Sequence, residues 1–125
     1  MRKRVCVDFD RVLHKYERSI GHGYASIVDD PLPGAQQLLA ALAEEYTVCI
    51  HTTRANTDEG EQAVRRWLDQ RQMVYHEVRA KPEAIAYIDD RAISVRRRTW
   101  NRIGRLRLLH KVRWLLHHGA GAKPR

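Results

Sequence analysis

Short apolar runs separated by helical stretches fill most of the first 90 residues of the chain. The run over 4–9 is rich in β-branched residues and stops at acidic residues, as expected for a buried parallel strand whose carboxyl end opens onto a site. Runs of the same kind lie over 46–51, 73–78 and 86–89. The pattern therefore predicts four strands.

Apolar residues at helical spacing lie between these runs. Leu38, Leu39 and Leu42 follow a segment of helix-breaking residues and predict a helix over 35–45. A second apolar stripe, which includes Trp67, predicts another helix. This and the remaining helices are predicted over 56–72, 82–84 and 99–118.

The alternation of strands and helices predicts an α/β fold, in which a mainly parallel sheet is covered by helices on both faces as a Rossmann-like three-layer sandwich. Residues 13–30 show no sustained period and are predicted to form a long loop over the top of the sheet, where loops are usually functional. We predict a catalytic domain over 1–95 and a basic helical extension over 96–125.

Length and composition agree with one globular chain. The 125 residues are 43% hydrophobic and 30% charged, which excludes disorder for most of the chain. The first apolar run is broken by Asp8, unlike a signal peptide, and no segment approaches the roughly 18 apolar residues that span a membrane. We predict a cytoplasmic protein without a transmembrane segment. Cys6 and Cys49 lie in predicted strands and are interpreted as reduced core residues.

The net charge of +8 is concentrated at the C-terminal end of the chain. Residues 91–125 contain 11 Lys and Arg residues and no Asp or Glu, whereas residues 1–90 contain 12 basic and 15 acidic residues. An almost neutral body with a strongly basic segment is typical of proteins that bind an acidic partner.

Polar residues follow the predicted strands where a functional site is expected. Ligands of open parallel sheets bind beyond the carboxyl ends of the strands, so these residues are predicted to converge. Carboxylates gathered there repel one another unless a cation lies between them, and hard oxygen ligands suit Mg²⁺. The residues concerned are Asp8, Asp10, Thr52, Thr53, Lys81, Asp89 and Asp90.

Four short motifs carry a family resemblance. The segment Asp8-Phe-Asp-Arg-Val-Leu13 resembles the first motif of the haloacid dehalogenase-like (HAD) phosphohydrolases, and His51-Thr-Thr-Arg54 is similar to the second. Lys81-Pro82 matches the third motif and Ile88-Asp-Asp-Arg91 the fourth, in the family order and over about residues 4–95. The resemblance implies a HAD-like fold.

The same resemblance implies a role for each matching residue. Asp8 is the expected nucleophile that forms an aspartyl-phosphate, and Asp10 the expected acid and base. Thr52 is expected to donate a hydrogen bond to a phosphoryl oxygen, and Lys81 to offset negative charge. Thr53 and the two cationic residues of the motifs are the predicted substrate-binding residues. Those two residues are Arg11 and Arg54.

The resemblance also implies a Mg²⁺ ion, held by Asp8, the main-chain carbonyl of Asp10, and either Asp89 or Asp90. The motif spacing leaves no room for an inserted cap domain, so a small capless member with an open site is expected. The reaction implied is hydrolysis of a phosphomonoester, either a phosphorylated small molecule such as a nucleotide or a nucleic-acid end. Arg11 stands where many relatives have Gly, and it either binds substrate phosphate or reduces turnover.

The basic segment has three interpretations. Residues 96–118 could contact nucleic-acid phosphates, which is the alternative function: a catalytically weak module that binds nucleic acid. The helix could instead be a solvated face that packs on the domain or on a second copy, giving a homo-oligomer. Attachment to anionic lipid is the third interpretation.

Overall fold

The computed structural model describes residues 2–95 and 102–118. The chain divides into two compact units, Met1–Glu83 and Ala84–Arg125, and each is described by itself. The boundary between the units lies closer to the N-terminus than the predicted domain boundary at 95/96. In the described part of the chain, no helix is both long and apolar enough to cross a membrane.

The first unit contains a three-stranded parallel sheet. Its strands are β1 (Arg4–Val7), β2 (Thr47–Thr52) and β3 (Glu77–Ala80), in the spatial order β1-β2-β3. Valine and isoleucine residues from all three strands pair across the register and are buried on one face of the sheet, as the apolar runs predict. These residues are Val7, Val48, Ile50 and Val78.

Two helices connect the strands: α1 (Ala35–Glu45) and α2 (Asp58–Gln70). Crossovers between parallel strands are right-handed as a rule, so the order β1-β2-β3 implies that both helices lie on one face of the sheet. A 3₁₀ turn over Thr53–Asn56 precedes α2, and the Thr57 hydroxyl caps α2 by accepting a hydrogen bond from the Gly60 N–H. The first unit is thus an α/β fold with a long irregular segment between β1 and α1 and a short connection between β2 and α2.

The predicted helix over 35–45 is confirmed at both ends, and the other elements shift by a few residues. The third strand begins at Glu77 instead of residue 73, and at the position just before it the His76 ring replaces a backbone acceptor. The Val48 N–H donates to His76 Nδ1 at 2.8 Å, and the His76 N–H donates to the Val48 carbonyl at 2.9 Å. The backbone ladder therefore starts one residue later.

Two predicted elements are wrong. Residues 81–95 contain neither the short helix expected over 82–84 nor the strand expected over 86–89. Ile85 and Ile88 are fully exposed there. A strand forms only beside a hydrogen-bonding neighbour, and the described part of the second unit contains no other strand, only α3 (Arg102–His118).

The opposite face of the sheet is more polar than the prediction of two covered faces implies. Arg4 and Arg79 are exposed on it, and Glu77 lies between them. Cys6 and Cys49 are paired in the register and are both free thiols, in agreement with the predicted reduced state. Only Cys49 is buried, so the prediction that Cys6 is a core residue is wrong. Cys6 lies on the edge strand β1, whereas Cys49 lies on the central strand β2.

Candidate functional site

The ends of the three strands bring Asp8, Thr52 and Lys81 to one edge of the sheet. Asp8 directly follows β1, Thr52 ends β2, and Lys81 directly follows β3. The Lys81 N–H donates to the Thr52 carbonyl at 3.1 Å, and the Asn56 side-chain amide donates to the Lys81 carbonyl at 2.8 Å. Lys81 Nζ lies 3.7 Å from Asp8 Oδ2. The expected convergence of these three residues is therefore present.

Asp8 is a partly accessible carboxylate at this edge. Its side chain is 43% exposed, and Oδ1 accepts a hydrogen bond from the Phe9 N–H at 2.8 Å. Partial burial raises the pKa of Asp8, and the nearby charge of Asp10 adds to the increase, while the Phe9 N–H and Lys81 oppose it. The carboxylate therefore gains stability from any additional positive charge placed beside it.

Asp10 is held more tightly, because both of its carboxylate oxygens accept a hydrogen bond. Oδ1 lies 2.8 Å from His14 Nδ1, and Oδ2 accepts from Arg54 Nε at 2.8 Å. Burial acts to raise the pKa of Asp10, but the hydrogen bonds from His14 and Arg54 outweigh it and leave the pKa lowered. In the free protein, Asp10 therefore has a lower pKa than Asp8 and is the more easily ionised of the two aspartates.

The Arg54 side chain is buried and is bound by the protein itself. Its Nη1 donates to the main-chain carbonyls of Gly23, Tyr24 and Ser26 at 3.4, 2.6 and 3.1 Å. With Nε on Asp10, the guanidinium ties the loop over 13–30 to the end of β2. The residue predicted to bind substrate thus lies beside the site as a structural link, and it is only 2% exposed.

Thr52 and Thr53 follow each other but differ in exposure. Thr52 is buried, and its Oγ1 accepts from the Arg54 N–H at 3.2 Å, which caps the 3₁₀ turn. Thr53 is half-buried. Thr52 therefore caps the short turn, while Thr57 caps α2.

Arg11 has an unusual backbone conformation for a residue with a side chain. Its φ angle is +64°, and its exposed guanidinium lies 5.6 Å from the centre of the Tyr16 ring. The left-handed region disfavours residues with a Cβ by roughly 1–2 kcal/mol. This conformation gives a physical reason why glycine suits this position.

We expect Arg11→Gly to be more stable than Arg11→Ala by about 1 kcal/mol, because alanine keeps the left-handed strain while both variants lose the contact with Tyr16. Urea unfolding of the two variants, followed by far-UV circular dichroism, measures the difference. Equal stability of the two would show that the backbone at residue 11 relaxes without strain.

The predicted metal ligands belong to both units of the chain. Asp8 and Asp10 are neighbours in the first unit, whereas Asp89 and Asp90 lie on an irregular segment of the second unit. Among residues 2–95 and 102–118, no group of three or more His, Cys, Asp or Glu side chains is placed to hold a metal ion. The Asp10 carboxylate is engaged by His14 and Arg54, so a cation at this edge would use its main-chain carbonyl.

Sequence reasoning missed the network behind Asp10. His14 is fully buried, and its Nε2 lies 3.2 Å from the main-chain nitrogen of Asp29. The Asp29 carboxylate accepts the N–H groups of Glu17, Arg18 and Ser19. The spacing of four residues between Asp10 and His14 was the only signal in the sequence, because Asp29 is distant along the chain.

Comparisons with known proteins support the fold alone. No protein-family model and no curated protein sequence matches the chain. A crystal structure of a target protein from Vibrio cholerae is similar, with a TM-score of 0.57 and 24% sequence identity over 88% of this chain and 98% of that chain. The similarity agrees with the α/β fold with a parallel sheet.

Proposed function

We propose that the chain is a HAD-like phosphohydrolase that releases phosphate from a phosphomonoester with the help of Mg²⁺. The observation that carries the proposal is the 3.7 Å approach of Lys81 Nζ to Asp8 Oδ2 at the carboxyl edge of a parallel sheet. A nucleophilic carboxylate, a neighbouring ammonium group and a partly open approach are what attack on a phosphoryl group requires. The four sequence motifs add to this observation.

In the first step, an Asp8 carboxylate oxygen attacks phosphorus and the bond from phosphorus to the leaving oxygen breaks. Asp10 gives its proton to that oxygen. The lowered pKa of free Asp10 opposes this role, but a bound phosphate dianion raises the pKa of a neighbouring carboxyl group by like-charge repulsion. Substrate binding thus favours uptake of a proton from the solvent by Asp10, and this is the proton that passes to the leaving oxygen.

In the second step, water attacks the phosphorus of the aspartyl-phosphate, and Asp10, now a carboxylate, takes a proton from that water. The bond between phosphorus and Asp8 breaks, which releases inorganic phosphate and restores Asp8. Lys81 stabilises the negative charge that spreads over the phosphoryl oxygens. Of the two threonines at this edge, Thr53 is half-buried and Thr52 is buried.

The donor set fits Mg²⁺ in part. Asp8 and the main-chain carbonyl of Asp10 are hard oxygen ligands, and the raised pKa of Asp8 is of the kind that a cation would lower. Asp89 or Asp90 would complete the protein ligands. When bound, Mg²⁺ offsets the charge of the phosphoryl group.

The segments between the strands favour a small HAD-like protein without a cap domain. Residues 11–34 contain no helix or strand, and residues 53–81 contain only the 3₁₀ turn, α2 and β3. The 43% exposure of Asp8 leaves an approach for a large substrate. A nucleotide or a nucleic-acid end is therefore compatible with this site.

The test of the proposal is phosphate release from an aryl phosphate and from a panel of nucleotides and 3′- or 5′-phosphorylated oligonucleotides. Each substrate is incubated with Mg²⁺ or with EDTA. Release that requires the metal supports the proposal. Absence of release from every substrate under both conditions contradicts it.

A second candidate function is nucleic-acid binding through α3. Arg107, Lys111 and Arg113 are exposed on this helix, and residues 91–125 contain no acidic residue. Cations arranged in this way neutralise backbone phosphates and release counterions. The two candidates do not exclude each other.

We expect the triple substitution of Arg107, Lys111 and Arg113 by Gln to weaken DNA or RNA binding. The slope of log K against log salt concentration should become less steep by about 0.7–0.9 for each lost phosphate contact. Fluorescence anisotropy with a labelled oligonucleotide at several salt concentrations measures both quantities. A control variant replaces three exposed cations of the first unit by Gln. The control positions are Lys3, Arg66 and Arg79. Equal effects of the two triple substitutions would contradict binding by α3.

A further inference from the structure

We propose that His14 is a positioning residue that orients the Asp10 carboxylate through one neutral tautomer, and that the main chain of Asp29 selects this tautomer. The inference rests on the proposed function, because it assigns His14 a role in the proton transfers of Asp10. His14 itself does not touch the substrate in this proposal.

The tautomer follows from the two hydrogen bonds of the imidazole ring. The Asp29 main-chain N–H can only donate, and it lies 3.2 Å from His14 Nε2, so Nε2 must be the unprotonated, accepting nitrogen. A neutral imidazole carries one proton, which is then on Nδ1. Nδ1–H donates to Asp10 Oδ1 at 2.8 Å.

The competing arrangement is a proton on Nε2 directed at the Asp29 carboxylate. Asp29 Oδ2 lies 3.6 Å from Nε2, which is long for a hydrogen bond. That carboxylate already accepts three main-chain N–H groups and Arg18 Nε. A proton on Nε2 would also face the Asp29 N–H. The geometry therefore favours the tautomer with the proton on Nδ1.

The ring is held in this orientation by aromatic packing. His14 stacks on Phe9 with 5.4 Å between the ring centres, and the edge of Trp67 packs at 5.5 Å. The Trp67 indole N–H donates to the Asp29 carbonyl at 3.1 Å. The main chain of Asp29 is thus fixed by α2 while it fixes His14, so the ring cannot turn without breaking several contacts.

The consequence for Asp10 is a carboxylate held at both oxygens. Arg54 binds Oδ2 from the end of β2, and His14 binds Oδ1 from the loop after β1. Two donors on different segments fix the rotation of the carboxylate plane, whereas one donor leaves the plane free to turn. Since Asp10 acts in proton transfer, loss of His14 should lower kcat more than it raises KM.

The test compares His14→Asn with His14→Gln, because the Asn amide reaches the position of Nδ1 and the Gln amide reaches that of Nε2. We expect His14→Asn to retain most of the kcat for phosphate release. We expect His14→Gln to lower kcat by about 10-fold to 100-fold, with little change in KM. Urea unfolding shows whether both variants lose comparable stability. Equal kcat values in the two variants, or kcat values that follow stability alone, would overturn the proposal.

A measurement on the wild-type protein keeps the inference testable if neither variant folds or if no substrate is found. Nitrogen-15 NMR of histidine-labelled protein at about pH 8, above the ordinary histidine pKa, distinguishes the tautomers. We expect the signal assigned to His14 to show a protonated Nδ1 and a bare Nε2. A proton on His14 Nε2 overturns the role of His14 and leaves the phosphohydrolase proposal standing. If His14 has the expected tautomer but no substrate releases phosphate, the phosphohydrolase proposal is overturned, and the inference that His14 orients Asp10 still stands.

Discussion

Asp8→Asn is expected to lower kcat for Mg²⁺-dependent phosphate release by about 10⁴-fold or more, because loss of a covalent nucleophile removes the intermediate on which both steps depend. The carboxamide keeps the size of the side chain and can still accept the Phe9 N–H that binds Oδ1. The substitution also removes the negative charge beside Lys81. Stability should therefore change little, and activity should change greatly.

The measurement is phosphate release at saturating substrate, with and without EDTA, alongside thermal unfolding of the same preparations. Glu44→Gln is the matched control, since Glu44 is an exposed carboxylate near the end of α1, at the opposite end of the sheet. We expect that control to keep wild-type activity. Retention of full metal-dependent activity by Asp8→Asn would refute the assignment of the nucleophile.

Arg54→Ala is expected to destabilise the protein by about 3–5 kcal/mol, as found when one partner of a buried ion pair is removed. Arg54 is 2% exposed, and its removal leaves the Asp10 carboxylate without one of its two donors. Three loop carbonyls lose their donor in the same substitution. Loss of these contacts should also free the loop from the end of β2.

Urea unfolding of Arg54→Ala, compared with Arg66→Ala, measures this effect. Arg66 is an exposed arginine of α2, so its removal should change the free energy of unfolding by less than about 0.5 kcal/mol. The double variant Asp10→Asn with Arg54→Ala should be less destabilised than the sum of the single variants, because each substitution removes the same contact. A loss below about 1 kcal/mol for Arg54→Ala would contradict the structural link.

Local patterns predict the elements whose limits are set by nearby residues. Helix α1 has the predicted limits because Gly34, with a φ of +88°, directly precedes a run of good helix formers. The exclusion of His76 from β3 could not be predicted, because its side chain and not its backbone carbonyl accepts the Val48 N–H. The strand over 86–89 was predicted from its apolar content alone. Apolar content does not show whether a second strand is present for hydrogen bonding.

Only those residues of the candidate site that lie at the ends of strands could be predicted from the sequence. Asp8, Thr52 and Lys81 converge because parallel neighbouring strands end at the same edge. The partners of Arg54 could not be predicted, since Asp10 is 44 residues away and the loop carbonyls carry no side-chain signal. The sequence indicated that the Arg54 cation lies near the site. Only the fold shows that Asp10 and the loop carbonyls bind its guanidinium group.

The three carbonyl contacts of Arg54 have a consequence for changing this protein by design. They make the length of the segment 23–26 part of the site, because inserting or deleting a residue there would shift the carbonyl oxygens of Gly23, Tyr24 and Ser26 out of register with one guanidinium group. Irregular loops usually tolerate such changes in length. Here an engineer who wishes to alter the substrate range should exchange exposed side chains of the loop and keep its length.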